Sequence, residues 1–263
     1  MSARDSAPLR ILIPLANPRT AADLVRIGAA LLRHGGSMTA LSIVEVPEGM
    51  PLSEGATRAR QARRLLQRVL EFTPEGVALR TMVRIGRRAA EGIVEAAAEE
   101  GADLVIFGWG GRSSGAAVFS PTIDEVVRDG SCDIAVVKQR GIGHVERVLV
   151  PVRGGPHAEL ALRFAGALGR TFAAEVAVLH VVPPGLGADD RARTERALAS
   201  FVQRHARTAT PRLVEAPSVA QAIVREAETA QLLVMGATGS IGGVTPSGAA
   251  GGGLFGALPE AVA

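Results

Sequence analysis

The hydrophobic pattern of the chain runs twice. The apolar run Arg10-Ile-Leu-Ile-Pro-Leu15 returns 137 residues later as Arg147-Val-Leu-Val-Pro-Val152. Each run leads into an Ala/Leu/Arg-rich amphipathic stretch, residues 20–33 and 157–170, so each reads as a strand followed by a helix. Ala40–Val46 and Ala177–Val182 stand at the same offset, closed by Pro47 and by Pro183-Pro184, and supply a second strand per half. Ala90–Ala97 resembles Ala220–Ala227 at an offset of 130, so the second copy is shorter by a few residues in between. Asp103-Leu-Val-Ile-Phe107 and Gln231-Leu-Leu-Val-Met235 are short, continuous and apolar, which suits central parallel strands buried on both faces. The pattern predicts strands near 10–15, 38–46, 77–83, 103–107 and 133–138, then near 147–152, 175–182, 211–215 and 231–235.

Repeats of this length are domains rather than solenoid units, and 263 residues suit two domains of about 100 to 200 residues each. The expected division is 1–143 and 144–263, two α/β sandwiches packed as an intramolecular pseudo-dimer. The copies differ at their ends. Thr122–Gly130 reads as the final helix of the first copy and Asp133–Lys138 as its fifth strand, whereas Leu254–Val262 reaches only the helix of the second. The second domain is therefore expected to lack its fifth strand, with residues 240–263 poorly packed.

Composition narrows the chemistry. A hydrophobic content of 47% with 21% charged residues is an ordinary globular balance. No apolar run approaches the roughly 18 residues of a membrane helix, and Met1–Pro8 lacks the apolar stretch of a signal peptide, so a soluble, cytoplasmic protein is expected. The single cysteine, Cys132, fits a reducing compartment and reads as a small core residue. The pI of 10.2 overstates a net charge of only +3, and aromatics make up 3% of the chain, too few for a nucleic-acid stacking platform. One basic stripe, Arg58, Arg60, Arg63, Arg64 and Arg68, falls on a predicted helix. It reads either as a solvated face or as a docking surface for an acidic partner or anionic lipid.

Of 29 basic residues only Lys138 is lysine, and it lies in Val-Val-Lys-Gln, which rules out a P-loop and lysine-dependent phosphotransfer. His34, His144, His157, His180 and His205 show no ligand spacing, so no metal site is expected. No Gly-x-Gly-x-x-Gly opens a helix after either first strand. Gly111-Arg112-Ser113-Ser114-Gly115 matches a nucleophile elbow in letters only: Ser113 comes six residues after Phe107, and Pro121 interrupts the helix that should follow. With no convergent nucleophile, base and oxyanion set, no enzymatic activity is expected.

The positive candidates are two glycine-rich loops, Gly108-Trp109-Gly110-Gly111 and Gly236-Ala237-Thr238-Gly239, each directly after a buried-strand pattern. Such a turn lets backbone N–H groups converge on an anion with no Cβ in the way.

The order of elements in each half resembles a universal stress protein domain, and the chain resembles a tandem member of that family. The resemblance implies an adenine-nucleotide alpha-hydrolase-like open parallel sheet of order 3-2-1-4-5 and a Gly-x2-Gly-x9-Gly-Ser/Thr nucleotide motif. In the first half Gly108 and Gly111 match, residues 112–120 form the spacer, Pro121 replaces the third glycine and Thr122 takes the hydroxyl position. In the second, Gly236 and Gly239 match, residues 240–255 make a longer spacer, Gly256 takes the third glycine and Ala257 the hydroxyl position. ATP-binding members carry an aspartate just after the first strand; Ala16 and Arg153 stand there in the two halves. Arg153 reads either as an anion ligand or as a member of an inter-domain salt bridge.

The implied function is non-catalytic regulation through ATP or another adenine nucleotide. Val150–Phe164 is also similar to tandem modules attached to bacterial cation antiporters and amino-acid permeases. The alternative is therefore a regulatory or scaffold module of a membrane transporter, ligand-free or responsive to a cyclic dinucleotide. A homo-oligomer remains open, and no nucleic-acid partner is expected.

Overall fold

The computed structural model describes residues 8–32, 35–111, 119–138, 141–153 and 156–236. The chain divides into two compact units, Met1–Gly141 and Ile142–Ala263. In the first, β1 (Arg10–Pro14), α1 (Pro18–Leu31), β2 (Ser37–Glu45), α2 (Ala56–Glu71), β3 (Leu79–Gly86), α3 (Ala89–Glu100), β4 (Leu104–Trp109), α4 (Pro121–Asp129) and β5 (Asp133–Lys138) alternate along the chain. The second runs β6 (Arg147–Pro151), α5 (Pro156–Phe172), β7 (Glu175–Val182), α6 (Ala188–His205), β8 (Thr210–Glu215), α7 (Val219–Ala227) and β9 (Leu232–Leu233).

All pairings are parallel. The first sheet has the order β3-β2-β1-β4-β5 and the second, among the described residues, β8-β7-β6-β9 with no fifth strand. Strand order reverses between β1 and β4, and between β6 and β9, which is where an open α/β sheet leaves a crevice at its carboxyl edge.

Burial explains why the central strands are legible. Ile11, Leu12, Ile13, Leu104, Val105 and Ile106 are buried, as strands covered on both faces must be. The edge strand β3 is half exposed along its length. It lies at 79–86, three residues beyond the end predicted for it, because mixed polar and apolar positions mark no sharp boundary. The strand predicted at 231–235 is only two residues long.

The two copies are offset by 137 residues at the first strand and by 138 at the second. Ile13 pairs with Ala40, but its counterpart Val150 pairs with Val178, so Ala40 corresponds to Val178 rather than Ala177. One additional residue between β6 and α5 causes the shift: two residues separate Leu15 from Pro18 at the helix start, and three separate Val152 from Pro156.

Cross-element side chains close the loops at the carboxyl edge of the first sheet. Arg87 Nη1 donates to the carbonyls of Val46, Pro47 and Met50 at 3.3, 2.6 and 2.7 Å. Glu45 Oε1 accepts the Ala89 amide at 2.7 Å, satisfying a donor at the start of α3 that no helical carbonyl can reach. Arg88 bridges Glu91 and Glu125, tying α3 to α4.

Candidate functional site

The strand-order reversal of the first unit lies between β1 and β4. Gly108 and Trp109 are still in β4, in register with Val137 and Lys138 of β5. Gly110 and Gly111 then leave the sheet exposed to solvent. Gly111 has φ +75°, a left-handed conformation that favours glycine. A Cβ at Gly110 would meet nothing within 4 Å, and one at Gly111 would lie 3.1 Å from Lys138 Cε. The rim therefore presents bare backbone with one cationic side chain over it.

Trp109 is the anchor of this rim. Its Nε1 donates to the Phe119 carbonyl at 2.8 Å. Its ring meets Phe119 edge-on, centroids 5.1 Å apart at 86°, and Lys138 Nζ stands 5.5 Å from its centroid. The indole thus packs against the far side of its own loop, using both its N–H and its quadrupole.

At the start of α4 the helix cap and the motif's hydroxyl position are different residues. The residue that caps the helix is Ser120, whose hydroxyl accepts the Ile123 amide at 3.3 Å. Thr122, expected to fill the hydroxyl position, sits inside the first turn and does not cap. Pro121 occupies the first helical position, where its missing N–H removes a donor that has no intrahelical partner in any case. The substitution of proline for the third glycine therefore suits the helix start.

On the other wall, Asn17 caps α1 by accepting the Arg19 amide at 3.0 Å. Ala16 precedes it, so this wall brings no carboxylate at the position where the family motif has one.

In the second unit the loop after β9 meets the helix after β6. A Cβ at Gly236 would lie 2.5 Å from the His157 carbonyl oxygen, so close packing on α5 alone requires a glycine there. His180 Nδ1 is 2.8 Å from the Val152 carbonyl oxygen, holding the end of β6 from the neighbouring strand. Arg153 follows, exposed, and among the described residues none forms an ion pair with it. Gly239 and Gly256, the remaining members of the second motif, lie outside the described residues, as do the segment 240–263 and Ser113.

Sequence reasoning missed Lys138 as a neighbour of the glycine loop. Its signal was available in principle: a parallel β4–β5 pair that starts at Leu104 and Asp133 carries Lys138 level with Trp109. Cys132, expected in the core, is only partly buried, just before β5. Burial, then the charges of Asp133 and Asp103, push its thiol pKa up, which keeps it protonated rather than nucleophilic.

Two other features carry no site. A recess of about 210 Å3 at the end of β3 is lined by Arg84, Arg87, Arg88 and Glu91, but Arg84 pairs with Glu95 and Glu99 and Arg88 with Glu91 and Glu125. No group of three or more potential metal ligands occurs among the described residues. Among the described residues no helix is long and apolar enough to cross a membrane.

The universal stress protein family model matches residues 9–138 and again 144–263. A universal stress protein from Archaeoglobus fulgidus DSM 4304 has a similar structure over 89% of this chain and 88% of its own, with 16% identity and a TM-score of 0.65. The cytoplasmic domain of a prokaryotic cation chloride cotransporter is similar over 97% of this chain and 90% of its own, with 14% identity and a TM-score of 0.61. At these identities the likeness is one of fold. In sequence, the Na(+)/H(+) antiporter NhaS5 of Synechocystis sp. is 29% identical over 244 residues, 89% of this chain and 35% of the antiporter. The chain thus spans about a third of that relative's length.

Proposed function

Because the chain belongs to the universal stress protein family, with one match in each half, we propose that it is a cytoplasmic, non-catalytic regulatory module that binds an adenine nucleotide in its first domain. The observation that carries this reading is the bare rim at Gly110-Gly111, set at the strand-order reversal with Lys138 beside it. Backbone amides of the rim and the positive end of α4 would hold phosphate oxygens, and Lys138 would add a full charge. Trp109 serves as structure, since its ring is already engaged by Phe119 and Lys138. Nothing in this set acts as nucleophile or general base, so binding and release constitute the activity.

Trp109 is the only tryptophan, which makes the site observable. Titration with ATP, ADP, AMP and cyclic dinucleotides should change its emission, and mass spectrometry of the purified protein should find copurified nucleotide. Flat emission and an unchanged thermal midpoint at millimolar ligand would reject nucleotide binding in the first domain.

A second reading is favoured by the antiporter relative: the chain works as a regulatory module of a membrane cation transporter. Pull-down of a transporter from solubilised membranes by the tagged chain, with and without nucleotide, separates the two. Transporter capture independent of nucleotide supports the second reading.

A further inference from the structure

The face of α2 stands apart from the rest of the molecule in its charge. Around the rest of the first sheet and on β8, several arginines are matched by acids on neighbouring elements: Arg80 with Glu100, Arg84 with Glu95 and Glu99, Arg88 with Glu91 and Glu125, Arg212 with Glu226. On α2, Arg58, Arg60, Arg63, Arg64 and Arg68 are all exposed, and none of them has an acidic partner among the described residues. Arg58 donates to the Glu45 carbonyl and Arg60 to the Thr57 hydroxyl; Glu54 before the helix and Glu71 at its end pair with neither. Arg60, Arg64 and Arg68 recur at intervals of four, so they form one ridge of mutually repelling charges.

The matching helix of the second unit has no such ridge. On α6, Arg191 pairs with Glu195 and with Glu215, and Arg193 pairs with Asp190. The cationic face is thus particular to the first copy and is not a requirement of the fold.

Apolar side chains flank the same helix. Met50 and Leu52 before it are 45% and 47% exposed, and Leu70 and Phe72 at its end are 46% and 50% exposed. Among the described residues they are four of the seven exposed large hydrophobic ones. Meanwhile Ala59, Leu66 and Val69 are buried, so the helix is held on the sheet by its opposite side and presents a convex, arginine-crested surface.

We propose that α2 docks the chain on an anionic phospholipid surface, with the arginines on headgroup phosphates and the flanking apolar side chains entering the boundary below them. Guanidinium groups bind phosphate oxygens bidentately, and basic helices with exposed apolar residues lie in the membrane interface. A convex ridge offers no groove to grip an acidic peptide, whereas a fluid headgroup layer conforms to it. The proposal stands independently of nucleotide binding.

The test is flotation of the full chain with phosphatidylcholine vesicles with and without phosphatidylglycerol. Binding is expected only to the anionic vesicles, declining as salt rises. The triple variant R60E/R64E/R68E should bind more weakly by at least about tenfold, while R196E on α6 leaves binding unchanged. Leu70→Ser with Phe72→Ser should weaken binding but keep its salt dependence. Circular dichroism and thermal melting confirm that each variant folds. Absence of binding to anionic vesicles, or equal binding by the triple variant, overturns the proposal. Capture on polyglutamate beads without vesicle binding overturns it in favour of an acidic protein partner.

Discussion

Lys138 Nζ stands 5.5 Å from the centroid of the Trp109 ring, and the two residues are register partners on the last rung between β4 and β5. The only lysine and the only tryptophan of the chain therefore meet at the mouth of the candidate site. Replacing Lys138 with Met keeps the length of the side chain and removes the charge. Nucleotide affinity is expected to fall about tenfold, the equivalent of roughly 1.4 kcal/mol, with a shift in Trp109 emission even without ligand. Calorimetric titration checks the first outcome and fluorescence the second. Unchanged affinity would remove Lys138 from the site.

Gly111→Val separates rim from scaffold. A residue with a Cβ at φ +75° costs about 1 to 2 kcal/mol, and the new atom also crowds Lys138 Cε. Urea denaturation should register that loss of stability, and nucleotide binding should be abolished under conditions where the protein remains folded. Wild-type affinity in the folded variant would reject the rim as the phosphate cradle.

At α4 the ranking of two hydroxyls is the prediction. Ser120→Ala removes the cap and should cost about 0.5 to 2 kcal/mol. Thr122→Ala, one residue inside the helix start, should change stability by less than about 0.5 kcal/mol. Chemical denaturation of both variants decides the order, and a larger loss in Thr122→Ala would contradict the cap assignment.

Gly236→Ala should destabilise the second unit, because the added carbon would meet the His157 backbone and a backbone cannot rotate aside as a side chain can. Hydrogen exchange is expected to rise in β6 and α5 while β1 and β4 keep their protection. Uniform exchange across both units would show that Gly236 is not a local packing requirement.

The parts of this fold that could be read from the chain are those where burial imposes an unmistakable pattern. Ile11–Ile13 and Leu104–Ile106 are covered on both faces and announce themselves as continuous apolar runs. The edge strand β3 does not, since three of its eight positions are exposed and none is fully buried. The first glycine loop was legible in part because Gly111, at φ +75°, has few physical alternatives. The identity of the capping hydroxyl was not: Ser120 and Thr122 are chemically alike, and a proline between them decides which one lies outside the helix. Lys138 was missed for another reason, as its nearness to Trp109 arises from strand register across a helical crossover that no local pattern encodes.

The three carbonyls gathered by Arg87 give the first unit a latch with a single pin. Val46, Pro47 and Met50 belong to the segment that leads into α2, and they are held by one guanidinium rising from the end of β3. Withdrawing that pin loosens the stretch from Pro47 to Met50, while Val46 stays buried with its amide on the Gly86 carbonyl and the core around β1 and β4 is untouched. Native-state proteolysis offers the view of it: cutting within residues 46–55 should be the earliest event in Arg87→Ala. The helix that carries the unmatched arginines would keep its hold on the sheet through Ala59, Leu66 and Val69 while the strap before it gives way, a domain whose outward face can loosen while its centre stays shut.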